Sequence, residues 1–173
     1  MKNLVLFSKE EKHINGQPML SKTAEYALRS IVYIALHAAK EKNIGIKEIA
    51  QELELPQPFM GKILQDLVRK NIIASVKGPH GGFFLKHPAK AITIMDVVRA
   101  IDGIEMFKRC GLGLKHCSDA HPCPLHNDFK KYRDGLAEVF SRRTIQDLVL
   151  NVENNQAFLK NERQEPGAPD FSF

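Results

Sequence analysis

Apolar residues fall along this chain in helical stripes, interrupted once by two short β-prone runs. Leu28, Ile31, Val32 and Ala35 share one face at three- and four-residue spacing, which predicts a helix from a cap at Ser21 to about Ala39. Asn43 and Gly45 break that pattern, and Ile46, Ile49, Ala50 and Leu53 restart it as a short second helix. Leu55-Pro56-Gln57-Pro58 predicts a turn. Pro58 suits the first position of a third helix, where no amide hydrogen is needed. Met60, Ile63, Leu64 and Leu67 line the apolar side of that helix, which ends near Lys70-Asn71. The runs Ile72 to Lys77 and Phe83 to Lys86 read as strands joined by a tight turn, Gly78-Pro79-His80-Gly81-Gly82. Thr93 and Asp96 form a box-like cap for a helix with Ile94, Val97, Val98 and Ile101 inward, ended by Asp102-Gly103. A loop from Ile104 to His126 leads into a longer helix, about Asn127 to Arg142, with Phe129, Tyr132, Leu136, Val139 and Phe140 on one stripe. Thr144 to Asp147 caps a last short helix.

Three helices followed by a two-stranded hairpin is the order of a winged helix-turn-helix. The expected fold is therefore mainly α, with a small β-hairpin wing and a long C-terminal dimerisation helix. In such a module the third helix lies in the DNA major groove with its N-terminal residues nearest the bases. Those residues are Gln57, Phe59, Met60 and Lys62. Gln57 can pair bidentately with adenine or merely cap the helix, and Lys62 can reach guanine or a phosphate. In the wing, glycines such as Gly78 and Gly81 let the backbone turn sharply and approach another backbone. Lys77 at its base and His80 at its tip can enter a minor groove or meet phosphate. The apolar stripe of the long helix exceeds what a small domain absorbs and points to a two-fold homodimer. That dimer would set its recognition helices about 34 Å apart on a palindrome of double-stranded DNA.

The expected layout is an N-terminal extension over 1–18, the winged helix-turn-helix over 19–90, a loop and dimerisation helices over 91–150, and a polar tail over 151–173. Residues 1–18 show no sustained periodicity and close on Asn15-Gly16-Gln17-Pro18, a turn-forming cluster. They read as a disordered extension ahead of Met19, a second candidate start. The stretch from Asn161 onward is polar and reads as disordered too.

Composition narrows the function classes. The 173 residues are 43% hydrophobic and 26% charged, an ordinary globular balance. No apolar run approaches the roughly 18–20 residues of a membrane helix. The opening apolar stretch is too short for a signal peptide. A cytoplasmic protein without membrane contact is expected. The formal net charge of +5 is compatible with a polyanionic partner. No C-x-x-C pair, nucleotide-binding glycine pattern or nucleophile–base constellation occurs, so no enzyme activity is expected.

The three cysteines of the chain, Cys110, Cys117 and Cys123, all lie in R-C-G-L-G-L-K-H-C-S-D-A-H-P-C-P-L-H. Buried structural cysteines behave as small hydrophobes, whereas these stand among turn residues. An odd count also argues against a paired disulfide framework. The segment reads as a metal or redox site. Lys108, Arg109 and Lys115 flank the thiols and would favour thiolates, or form a solvated surface. His116 and His121 are weaker ligand candidates. Three cysteines with one histidine also suit tetrahedral zinc, though the spacing is longer than that of paired zinc-finger cysteines. A metal-free thiol switch is the other alternative. A protein–protein adaptor is the remaining non-enzymatic class, and the salt dependence of DNA binding separates it from a regulator.

Four segments together resemble the bacterial winged-helix transcription regulators that include the iron–sulfur regulator IscR and the nitric-oxide sensor NsrR. They are S-K-T-A-E-Y-A-L-R, L-V-R-K-N-I-I-A-S-V-K-G-P-H-G-G-F, V-V-R-A-I-D-G and the cysteine loop. The resemblance spans about Leu20 to Val149. It implies a homodimeric regulator whose DNA affinity depends on an iron–sulfur cluster, [2Fe–2S] or [4Fe–4S], and repression by the cluster-bound form is expected. It places Cys110, Cys117 and Cys123 at the cluster-ligating positions and Lys77 at a basic wing position that enters the minor groove. Such clusters normally take four protein ligands. By resemblance the fourth is His126, or Glu25 of the partner subunit. Six residues separate Cys110 from Cys117, more than is usual in the family. The recognition-helix start P-Q-P-F also departs from the family's serine-containing version, so the operator is not transferable.

Overall fold

The computed structural model describes residues 19–37 and 43–160. The first helix, α1, spans Lys22–His37. Its cap is Ser21, whose hydroxyl accepts the Ala24 amide at 3.1 Å. The expected continuation to Ala39, the 1–18 extension and the tail from Asn161 lie outside the described residues. Helix α2 covers Ile46–Glu52 and α3 covers Gln57–Arg69. Pro58 takes the second position of α3 rather than the first, which is equally tolerant because the opening amides have no helical acceptor.

Strands β1 (Ile73–Val76) and β2 (Gly82–Leu85) pair antiparallel, with Ile73 opposite Leu85 and Val76 opposite Gly82. The residue just before α2 adds a third rung: Ile44 exchanges both backbone hydrogen bonds with Phe83, at 3.0 and 2.9 Å. The wing is thereby anchored to the segment between α1 and α2.

Helix α4 (Ile94–Ile101) opens on the expected capping box of Thr93 and Asp96, and α6 (Ile145–Glu153) opens on a second box of Thr144 and Asp147. The two helix starts also pair with each other. Ile94 donates to the Arg143 carbonyl at 3.0 Å and Ile145 donates to the Ile92 carbonyl at 2.8 Å. Helix α5 covers His126–Arg142, one residue earlier than expected, and brings His126 into its first turn.

Helix α1 is the centre of the core and packs against α3, α4, α6 and β2. Ala27, Ile31, Val32 and Ile34 meet Ile49, Leu64, Leu67, Ile73, Val97 and Ile145, all essentially buried. Each such aliphatic side chain contributes about 1.5–3 kcal/mol on burial. A smaller cluster of Met95, Val98 and Phe140 joins α4 to α5, with Phe107 edge-on to Phe140 at 5.7 Å between ring centroids. Both α4 and α6 thus rest on the helix that also supports α3. A shift at the cysteine loop has a packed route to the recognition helix.

Candidate metal centre and nucleic-acid face

Between α4 and α5 the chain runs without regular structure except a single 3-10 turn, Glu105–Phe107. The loop folds back on itself. Gly113 donates to the Cys110 carbonyl at 2.9 Å, and Ser118 and His121 exchange backbone hydrogen bonds at 3.1 Å each. These turns gather the three thiols, whose sulfurs all lie within 4.8 Å of one another. Cys110 and Cys123 are 3.5 Å apart. All three are half-buried and none is in a disulfide.

The loop's own backbone activates one sulfur. Amide groups of Leu114 and Leu112, with the neighbouring thiols, pull the Cys110 thiol down to about 7, while burial pushes the Cys123 thiol up. Hydrogen bonds favour the charged form at one sulfur and desolvation disfavours it at the other. Either thiol of the Cys110–Cys123 pair can donate to the other. A cleft of about 410 Å³ opens beside Cys110 and Cys117, rimmed by Lys108, Arg109 and Lys115. Lys108 is shared with Glu105 at 3.6 Å.

Helix α5 holds this loop with one stripe of polar side chains. His126 is only 7% exposed. Its Nδ1 lies 3.1 Å from Cys117 Sγ and its Nε2 lies 2.8 Å from Asp119 Oδ1. Lys130, one turn on, grips both Asp119 oxygens at 2.8 and 2.7 Å. The Lys130 ammonium, and then His126, holds the Asp119 carboxyl below the usual carboxylate range. Arg133, a further turn on, donates from Nη1 to the carbonyls of Lys108 and Arg109, just ahead of Cys110. Phe129 lies against Gly111, where an added Cβ would meet its ring at 2.8 Å. Asp119, Lys130 and Arg133 were not singled out from sequence. The spacing of His126, Lys130 and Arg133 at i, i+4 and i+7 was visible, but their acceptors are an exposed loop carboxylate and two carbonyls.

Three thiols and one imidazole suit both iron–sulfur clusters and zinc, so the donor set fits either group. His116 and His121 stay outside the sulfur group. Glu25 sits on α1, paired with Lys22 at 2.7 Å, and lines a separate cleft with Leu28, Arg29 and Phe158.

Gln57, Phe59 and Lys62 are exposed along the first turns of α3, Phe59 at 64%. Met60, which the spacing placed on the apolar side of α3, is fully buried in the core with Ile63, Leu64 and Leu67, so of the residues at the start of α3 it is the one that cannot reach a base. Lys77, Gly78 and His80 are exposed on the wing, and Gly81 is tucked beneath it. The Gly81 amide closes the turn onto the Gly78 carbonyl at 2.9 Å, and Gly78 has φ +119°, which favours glycine. The Asn43 side chain donates to the His80 carbonyl at 3.2 Å and steadies the tip.

A short antiparallel wing, an exposed third helix and a loop that gathers three thiols ahead of a long helix define a winged-helix fold with a three-cysteine site. The chain belongs to the Rrf2 family of iron-dependent transcriptional regulators, whose family model matches residues 20–151. It is 31% identical over 142 residues to a helix-turn-helix transcriptional regulator of Aquifex aeolicus, covering 81% of this chain and 96% of that one. It is 28% identical over 145 residues to the regulator NsrR of Oceanobacillus iheyensis, covering 83% and 98%. Among solved structures, the fold is shared with CymR, the global cysteine regulator of B. subtilis, at a TM-score of 0.64, 22% identity and coverage of 76% and 95%. It is shared equally with IscR of T. potens, at a TM-score of 0.64, 22% identity and coverage of 80% and 91%. The mainly helical winged fold expected from sequence is the fold observed. Among the described residues no helix is long and apolar enough to cross a membrane.

Proposed function

We propose that this transcription regulator is a homodimeric repressor that binds a palindromic operator while an iron–sulfur cluster is held by Cys110, Cys117, Cys123 and His126, and that damage to the cluster releases the DNA. The observation that carries the reading is the convergence of three sulfurs within 4.8 Å with the buried His126 ring nitrogen 3.1 Å from one of them. A bound cluster supplies iron whose non-thiolate position is the one most open to nitric oxide, oxygen or loss. The chain's own residues do the rest. Backbone amides beside Cys110 favour its thiolate form, the basic rim offsets negative charge, and α5 keeps the loop gathered.

His126 is preferred to the partner subunit's Glu25 because it already touches the sulfur group. In this reading residues 19–90 contact DNA through Gln57, Phe59, Lys62, Lys77, Gly78, His80 and Gly81, and residues 91–150 sense and dimerise. Tyr132, Val139 and Phe129 support the dimer, being 75%, 45% and 42% exposed on one helix. Acting on chromosomal DNA, the protein is cytoplasmic. A coupling of about 1–3 kcal/mol between sensor and reader would change operator affinity about 5–150-fold.

The test is purification without oxygen, a visible spectrum and an assay of iron and sulfide, repeated for Cys110→Ser, His126→Ala and Glu25→Ala. A coloured wild-type protein with acid-labile sulfide supports the reading, and His126→Ala should destabilise the chromophore more than Glu25→Ala. One observation favours a second reading. Zinc–sulfur bonds of about 2.3 Å in a tetrahedron put sulfurs about 3.8 Å apart, close to the spacing found here. A colourless protein with one zinc per chain would establish that site instead.

A further inference from the structure

We propose that Asp119, clamped by Lys130, is a positioning residue that fixes the tautomer and ring orientation of His126, so that Nδ1 is the nitrogen presented to the sulfurs. The functional consequence rests on the metal-site reading above, whereas the tautomer itself does not.

A histidine buried to 7% exposure needs partners for both ring nitrogens. Asp119 Oδ1 lies 2.8 Å from Nε2, and an ionised carboxylate only accepts hydrogen bonds. Nε2 therefore carries the hydrogen. In a neutral imidazole the other nitrogen is then the acceptor. That nitrogen, Nδ1, sits 3.1 Å from Cys117 Sγ. In the metal-free chain the Cys117 S–H donates to it, and its lone pair is directed at the sulfur group.

The orientation is held from two sides. Lys130 stands one helical turn from His126 on α5 and takes both carboxylate oxygens, at 2.8 and 2.7 Å. Asp119 itself sits between Ser118 and His121, whose paired backbones close the turn at 3.1 Å. A rigid helix and a closed turn thus meet at one carboxylate. Such outer partners of a metal-binding histidine typically change metal affinity about 10–100-fold when removed.

The first arm of the test uses metal-free protein with ¹⁵N-labelled histidine and long-range ¹H–¹⁵N correlation spectra. Wild type should show His126 as the Nε2–H tautomer. Asp119→Ala, and Asp119→Asn, whose amide can donate as well as accept and so no longer forces the hydrogen onto Nε2, should each give a mixture of tautomers. Asp119 is 71% exposed, so its replacement leaves the core intact, and Lys130→Met gives a second variant expected to loosen the tautomer in the same direction. The second arm follows chelator-driven bleaching of anaerobically reconstituted protein, expected about 10-fold or more faster in Asp119→Ala. An Nδ1–H tautomer in wild type, or a tautomer unmoved by Asp119→Ala, overturns the inference whether or not iron binds. A wild type that takes up no iron and sulfide overturns the metal-site reading, while an Nε2–H tautomer in that same protein still upholds the positioning role.

Discussion

Ser21 reaches Asp102 through both of its polar groups: its backbone amide donates to Oδ2 at 2.9 Å and its hydroxyl donates to Oδ1. The same hydroxyl accepts the Ala24 amide. One side chain thereby caps α1 and clasps the end of α4, immediately before the loop that carries the thiols. Since α1 packs against α3, this pair ties the helix beneath α3 to the end of α4.

Ser21→Ala removes the cap and the hydroxyl half of the clasp but keeps the Ser21 amide on Asp102 Oδ2, whereas Asp102→Ala removes both halves of the clasp and keeps the cap. Loss of a serine cap costs about 1 kcal/mol, which lowers Tm by about 2–4 °C for a chain of this size. Ser21→Ala should therefore show that loss in thermal unfolding followed by circular dichroism. Equal Tm values for Ser21→Ala and wild type would show that the Ser21 hydroxyl does not hold the helix start.

Thr144 and Asp147 form the capping box of α6, with the Thr144 amide donating to the carboxylate at 2.8 Å and the Asp147 amide donating to the Thr144 hydroxyl at 3.2 Å. Thr144→Ala should destabilise by about 1 kcal/mol at neutral pH. The Asp147 carboxyl is held below its usual range by the Thr144 backbone amide and then its hydroxyl. A lowered folded-state value gives stability that is present above the unfolded value, about 3.9, and is lost as pH falls through the folded one. Asp147→Asn should therefore lower the urea midpoint at pH 7, and the gap to wild type should close below about pH 4. A gap that stays constant into acid would remove the carboxylate from the account of α6.

Gly82 begins β2 where the backbone of Ile44 crosses it. A Cβ there would stand 2.8 Å from the Ile44 carbonyl carbon and oxygen. Backbone atoms cannot swing aside, so Gly82→Ala should break the Ile44–Phe83 pair at a cost of about 1–3 kcal/mol. Protection of the Ile44 and Phe83 amides in hydrogen exchange should fall with it. Unchanged protection would mean that the wing has room the structure does not show.

What could be read from sequence was local. T-x-x-D at Thr93 and Thr144, the stripes of α2 and α4, and the glycine turn of the wing each specify structure within a few residues. The pairing of Ile44 with Phe83 could not be read, because nothing near Asn43 marks a strand. Arg29 was equally silent: it donates to the carbonyls of Leu159 and Leu53 at 2.6 Å each, and backbone acceptors leave no trace in a sequence. At the sensor, the sulfurs and His126 stood out as chemistry, but the polar stripe of α5 that holds them was hidden by the apolar stripe beside it.

Under the proposed function, Lys77 meets phosphate and Gln57 meets a base, and substitutions at the two positions should separate these contacts. Both residues are exposed, one on the wing and one in the first turn of α3. A phosphate contact releases counterions and adds about 0.9 to the slope of log K against log salt, while a base contact leaves that slope alone. A dimer with about 6–10 phosphate contacts should lose about 10³–10⁵ in affinity between 50 and 200 mM salt. Lys77→Ala should weaken binding to all sequences and flatten the slope by about 2 for a dimer. Gln57→Ala should keep the slope and lose about 1–3 kcal/mol of discrimination at a single base position in each half-site. Fluorescence anisotropy on operator and scrambled duplexes, across that salt range, measures both. If Lys77→Ala left the slope unchanged, the wing would not be touching phosphate. If Gln57→Ala bound operator and scrambled DNA in the wild-type ratio, the first turn of α3 would not be reading bases.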